Sequence, residues 1–272
     1  MNTTLRTICT VAISFLAYHI LFRYFGEIKS ALDTITRFGL LSYCITYALI
    51  GVPVFIGTYF IKTKAGIFSE LGLSGKAGKA VLLALLFSLP MFIGGFFFFD
   101  FNANQEIQQL IASTFVAGFV EELYFRGFLF GVLYRHSRLG FIPAIVLGAV
   151  IFASGHLYQS QDAGELVGIF MITFSGAFLF AWLYTEWNYN LWVPVFLHSL
   201  MNLSWSLFEM DHSALGNVPA NVLRGCTIAL AIVFTILYKR RTHQKLTINR
   251  NTIFIKKEND ALAEYATAGL QD

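Results

Sequence analysis

Glu121 and Glu122 stand side by side in the apolar run Phe119-Val120-Glu121-Glu122-Leu123-Tyr124-Phe125-Arg126, while the other fourteen of the sixteen acidic residues fall in loops, in the tail or at the edges of such runs. An ionised group deep in hydrocarbon costs at least about 2.5 to 3.5 kcal/mol, so residues kept there are functional candidates by default. Successive helical residues point about 100° apart, which turns the two carboxylates toward different neighbours. Glu122 and Arg126, four apart, share a face and predict an internal ion pair. Such a pair neutralises one carboxylate and fixes the rotation of the helix. It leaves Glu121 as an acid with no local partner.

Two of the six histidines come with company. His156 closes Phe152-Ala153-Ser154-Gly155-His156, with Phe152 one turn below it; His198 opens His198-Ser199-Leu200-Met201-Asn202. The spacing of four sets the His198 imidazole and the Asn202 carboxamide on one helical face. His19 reads as a packing residue, and His136, His212 and His243 belong to loops or the tail. A carboxylate facing an imidazole across adjacent helices can hold a water and take its proton as the water attacks a carbonyl. A second imidazole and an amide N–H can stabilise the oxyanion that develops, worth about 3 to 4 kcal/mol in comparable sites. Glu121, His156 and His198 equally make a three-ligand zinc set with the fourth position open to water. No His-Glu-x-x-His helix and no Gly-x-Ser-x-Gly elbow occurs, and no aspartate lies deep in an apolar run, so serine and aspartyl mechanisms have no carriers.

These residues must be positioned by helices in a membrane. Of the 272 residues 56% are hydrophobic, 17% aromatic and only 13% charged, about half the charged share of a soluble domain, and the mean hydropathy is +0.63. A water-soluble globule, a disordered chain and a disulfide scaffold are excluded; Cys9, Cys44 and Cys226 lie in apolar stretches and read as free, packed thiols. Runs of about 20 apolar residues near 7–25, 38–61, 79–99, 107–134, 140–160, 164–184, 190–209 and 221–238 predict an all-α, polytopic bundle of about eight transmembrane helices. None alternates in polarity as a barrel strand does. Fourteen of the 19 Lys and Arg fall on one side and Arg23, Lys29, Arg37 and Arg224 on the other; this bias puts both termini in the cytoplasm. The first run lacks a cleavage pattern and reads as an uncleaved anchor. Residues 1–238 are taken as the membrane domain and 239–272 as a polar cytoplasmic tail, basic and then acidic, either a loose stop-transfer flank or a leash on anionic lipid. The net charge of +3 gives no reason to expect nucleic acid as a partner. Gly127 with Gly131 and Gly164 with Gly168 fit the small-xxx-small pattern of packed neighbours.

At 1.5 Å per residue, Glu121 lies about 21 Å along its helix from Arg135, and His156 about 25 Å along its helix from Gly140. His198 and Asn202 come out shallower, about 12 to 18 Å from Asn190. Tilt or a slipped loop boundary would absorb the difference.

At these positions the chain resembles the CAAX prenyl protease and bacteriocin-processing intramembrane proteases, also called CPBP or Abi proteins. Their signature is Glu-Glu-x-x-x-Arg, Phe-x-x-x-His and His-x-x-x-Asn or Asp on successive membrane helices. All three parts are present in order: Glu121, Glu122 and Arg126; Phe152 and His156; His198 and Asn202. The resemblance covers about 113–204 and implies an intramembrane endopeptidase, glutamate or metallo type, that cleaves a peptide bond near the membrane. It implies Glu121 as general base, His156 helping to hold the water, and His198 with Asn202 steadying the oxyanion. Glu122, Arg126 and Phe152 are then structural support. No obligatory metal is expected; a divalent ion such as zinc on Glu121, His156 and His198 is the alternative. The partners implied are a peptide or protein substrate, prenylated and CAAX-like or secreted, and the lipid bilayer. The location is that of a multi-pass membrane protein, in the cell membrane if the host is bacterial. A non-catalytic bacteriocin-immunity or scaffold protein of the same fold is the first alternative, and a proton-coupled transporter the second.

Overall fold

A computed structural model describes residues 3–61 and 66–256; Lys62, Lys64, Lys257 and the acidic end of the tail lie outside the described residues. The elements are α1 (Thr3–Phe22), α2 (Phe25–Thr36), α3 (Gly39–Ile61), α4 (Gly66–Glu70), α5 (Ala77–Phe98), α6 (107–136), α7 (Phe141–Ser154), α8 (Ala163–Glu186), α9 (Trp192–Leu207) and α10 (Val218–Arg241). There is no strand among the described residues, only an isolated bridge between Leu139 and Ile255. The all-helical bundle expected from composition is thus present. Its eight long rods match the eight apolar runs; α2 and α4 are short connectors.

Six of the rods are long and apolar enough to cross a membrane: α1, α3, α5, α7 with its following turn, α8 and α10. The two that fall short are α6, which is interrupted, and α9, which has 16 residues. They carry Glu121, Glu122, Arg126, His198 and Asn202. Ile13, Leu82, Ile93 and Phe96 on the outer rods are exposed, as apolar side chains facing hydrocarbon should be.

The rod α6 changes winding along its length. Residues Ala112–Val116 and Glu122–Phe130 are π-helical, separated by the α-helical Ala117–Glu121 and flanked by α-helical ends. Single π turns are rare and occur mostly at functional sites. The second begins between the two glutamates, so the direction of each later side chain departs from the 100° step of an α-helix.

Local sequence explains the breaks and starts. Gly51 interrupts α3 two residues before Pro53, which lacks the N–H that would continue the ladder. A Cβ at Gly51 would collide with the Tyr124 hydroxyl, which donates to the Tyr47 carbonyl at 2.8 Å. Asp162 caps α8 by accepting from the Glu165 N–H at 2.8 Å, and Asn217 caps α10 by accepting from Ala220 N–H at 3.0 Å. The core centres on α6: Leu123, Tyr124, Phe128 and Leu129 pack with Val11 and Phe15 of α1 and Ala149 and Phe152 of α7. A second cluster joins α5, α8, α9 and α10 through Phe87, Phe180, Leu197 and Ala231. Gly131 lies against Tyr184 and Gly127 against the Leu71 carbonyl, so that glycine pair serves close packing of neighbouring segments.

Residues 242–256 are neither a leash nor a loose end. Backbone N–H groups of Gly140, Phe141 and Ile142, unpaired donors at the start of α7, bond to the carbonyls of Phe254, Thr252 and Ile253 at 2.8 to 2.9 Å. The buried Glu186 carboxylate accepts from Lys239 Nζ at 2.5 Å and from the backbone of Thr247 and Ile248 at 3.0 and 2.9 Å. This segment is therefore a strap across the ends of α7 and α8.

Candidate active site

Glu122 is wholly buried, and its Oε1 lies 3.2 Å from Arg126 Nη1, so the i,i+4 pair expected from spacing is formed. The Arg126 guanidinium is also wholly buried and sits 4.3 Å from the centre of the Phe152 ring and 5.5 Å from that of Phe180. The aromatic faces and the carboxylate offset part of the cost of burying this cation, while its nitrogens have no hydrogen-bond partner among the described residues. Phe152, expected as structural support, is thus one half of the Arg126 cradle.

The same Glu122 Oε1 lies 2.8 Å from His198 Nδ1. A carboxylate paired with arginine is an acceptor, so Nδ1 carries the proton and the ring orientation is fixed. Phe180 stacks on the imidazole, rings 17° apart with centres at 5.0 Å. His198 Nε2 is then turned toward Glu121 Oε2 at 3.8 Å. That gap is longer than a hydrogen bond, yet one water at its apex could touch both atoms. The Glu121 side chain is 26% exposed, against none for Glu122. Of the two neighbouring acids, only Glu121 can meet water.

Close approach of α6 and α9 makes this meeting possible. A Cβ on Gly118, one turn before Glu122, would stand 2.6 Å from Ser199 Oγ and 3.3 Å from the Ser199 backbone. On the next turn of α9, Asn202 Nδ2 donates to the Ser113 carbonyl at 3.4 Å. The shallower level expected for His198 from helix arithmetic is not observed: it lies beside both glutamates.

His156 ends α7 rather than lying within it. Its Nδ1 is 2.8 Å from the Phe152 carbonyl, which can only accept, so here too the proton sits on Nδ1 and Nε2 is left for the cavity. The following turn is pinned from the far side: Gln159 Oε1 accepts the Ala214 N–H at 2.7 Å, and Glu165 accepts the hydroxyls of Ser160 and Ser213, each at 2.7 Å. Residue spacing carries no signal of this bracing, because the segments it joins are some fifty residues apart.

Glu121, Phe152, His156, His198 and Asn202 all line one cavity of about 1850 Å³. Tyr43 and Tyr47 of α3 add phenols to its wall, and Ile172 and Gly176 of α8 and Gly225 and Ile228 of α10 also line it. The four residues expected to act together therefore share a chamber. Among the described residues no three His, Cys, Asp or Glu side chains converge as a metal-holding group, and no step below passes through a metal.

Residues 103–204 match the family model described as Type II CAAX prenyl endopeptidase Rce1-like. The match contains every signature residue from Glu121 to Asn202. A protein of Bacillus subtilis (strain 168) named "Putative membrane peptidase YdiL" is 34% identical over 102 residues, 38% of this chain and 37% of that one. The chain thus matches little more than a third of that relative's length.

Proposed function

We propose, from the match of residues 103–204 to the family model described as Type II CAAX prenyl endopeptidase Rce1-like, that this membrane protein is an endopeptidase that hydrolyses a peptide bond inside the chamber between α6, α7 and α9. The observation that carries the reading is the pairing of one exposed and one buried carboxylate around a single imidazole: Glu122 at 2.8 Å from His198 Nδ1 and Glu121 at 3.8 Å from Nε2.

Each residue then has a distinct task. Glu121 takes a proton from a water while the oxygen of that water adds to the scissile carbonyl carbon. His156, with its proton held on Nδ1 by the Phe152 carbonyl, offers the Nε2 lone pair to the second hydrogen of the water. The carbonyl oxygen becomes an oxyanion that needs donors. His198, its ring plane set by the Glu122 carboxylate at Nδ1, donates to that oxygen when Nε2 carries a proton. Asn202 supplies a second donor from its amide. Collapse of the tetrahedral intermediate breaks the C–N bond, and the proton on Glu121 passes to the leaving amine.

The substrate is a peptide or protein that reaches the chamber from the membrane surface or through the apolar wall between α8 and α10. The test is direct: purified full-length protein in lipid vesicles, offered a fluorogenic peptide library with and without a prenylated cysteine. The proposal expects amide cleavage with one new amino terminus per turnover. Binding without turnover across the library would favour a scaffold or immunity protein of the same fold.

A further inference from the structure

The basic residues at the end of α10 do not share one fate. Lys239 is buried and neutralised by Glu186. Arg240, Lys245 and Arg250 are exposed and have no acidic partner among the described residues. These three line a second cavity, of about 760 Å³, formed where the strap leaves α10. Its lining contains no acidic residue, and Gln244, Asn249 and Asn251 supply amide groups beside the three cations. Its remaining wall is Lys239, already paired with Glu186, and the aliphatic Ile236, Leu246 and Ile248.

The level of this cavity is fixed by the fold. It begins at Ile236, inside the candidate span Val218–Arg241, and ends at Arg250 and Asn251, beyond it. A pocket that straddles the end of a span lies at the headgroup layer. Arg240, Lys245 and Arg250 lie at or beyond the end of the span, and Ile236 lies within it. The strap cannot drift from this place, because Glu186 holds the backbone of Thr247 and Ile248 between Lys245 and Arg250.

We propose that this cavity binds the phosphate of an anionic phospholipid, with Arg240, Lys245 and Arg250 around the phosphate oxygens and Ile236, Leu246 and Ile248 against the glycerol and upper acyl chain. The apolar wall favours a lipid over free phosphate. The site is separate from the chamber that holds Glu121 and does not depend on the reading of that chamber as a peptidase.

The test uses the full chain in uncharged detergent, titrated with short-chain phosphatidylglycerol or phosphatidylcholine, with retained lipid counted by native mass spectrometry and inorganic phosphate as a competitor. At about 1 kcal/mol per juxtamembrane cation, each of Arg240→Gln, Lys245→Gln and Arg250→Gln weakens phosphatidylglycerol about five-fold, and the triple variant weakens it on the order of 100-fold. The phosphatidylcholine arm and the control Lys76→Gln/Arg138→Gln, two exposed basic residues outside the cavity, should not change. If the triple variant is misfolded by melting temperature, the three single variants carry the test. Equal loss in the control variant, no preference for phosphatidylglycerol, or displacement of the lipid by millimolar phosphate would each overturn the proposal.

Discussion

The buried carboxylate of Glu122 meets nitrogens of two side chains at once: its Oε1 lies 3.2 Å from Arg126 Nη1 and 2.8 Å from His198 Nδ1. One residue thereby fixes the rotation of α6 and the ring plane of an imidazole on α9. A structural role and a positioning role are joined, and separating them gives the first prediction.

Glu122→Gln keeps an oxygen for His198 but leaves Arg126 buried without its counter-charge, a loss of about 3 to 5 kcal/mol when one partner of a buried pair is removed. The double variant Glu122→Gln/Arg126→Met removes both charges and should recover most of the melting temperature, since apolar replacement of a buried pair is often neutral. Cleavage should stay down by about 100-fold or more in both, because His198 has lost the anion that orients and supports it. Full activity in the stable double variant would reduce Glu122 to a helix lock.

Gly118→Ala tests the α6–α9 contact. The new methyl would meet Ser199 at 2.6 Å from Oγ and 3.3 Å from backbone atoms, and such overpacking costs about 1 to 3 kcal/mol. Moving the helices apart widens the gap between Glu121 and His198, so turnover should fall more than substrate affinity. Pairing with Ser199→Gly should restore part of both, measured as kcat and KM on one peptide.

Glu165→Ala removes the acceptor of the Ser160 and Ser213 hydroxyls without touching the chamber walls at Glu121. The turn that carries His156 then loses its brace to the segment before α10. Global unfolding should move little, while hydrogen exchange over 155–162 should rise and kcat should fall several-fold. Unchanged exchange in that segment would show that the brace does not hold it.

Chelation separates the two readings of Glu121, His156 and His198. With no three-ligand group among the described residues, cleavage should survive incubation with a strong chelator followed by desalting. Loss of activity that returns on adding zinc would assign those residues to a metal instead.

Much of this is legible in the sequence, and the limits have physical causes. The ion pair of Glu122 with Arg126 follows from four-residue spacing on one helix, and the eight rods follow from apolar runs of span length. The bond from Glu122 to His198 joins residues 76 apart, and straight-helix arithmetic places His198 too shallow because it contains neither tilt nor π turns. No residue type marks those turns. The strap at 242–256 is hidden for a different reason. Its partners are a buried carboxylate at Glu186 and unpaired N–H groups at the start of α7, and neither can be recognised as needing a partner until the rods are assembled. Phe180 is one of 29 phenylalanines, and its contacts with His198 and Arg126 distinguish it only once the rods are assembled.

The most direct measurement is the single-turnover rate of Glu121→Gln against the parent, on one cleaved peptide in the same vesicles. The substituted amide retains the size and the hydrogen-bonding oxygen of the parent side chain but cannot accept a proton from water at neutral pH. The account predicts a loss of at least about 10²-fold, the low end of a general-base contribution, with melting temperature and peptide binding unchanged. A variant that folds, binds and cleaves at the parental rate would contradict it.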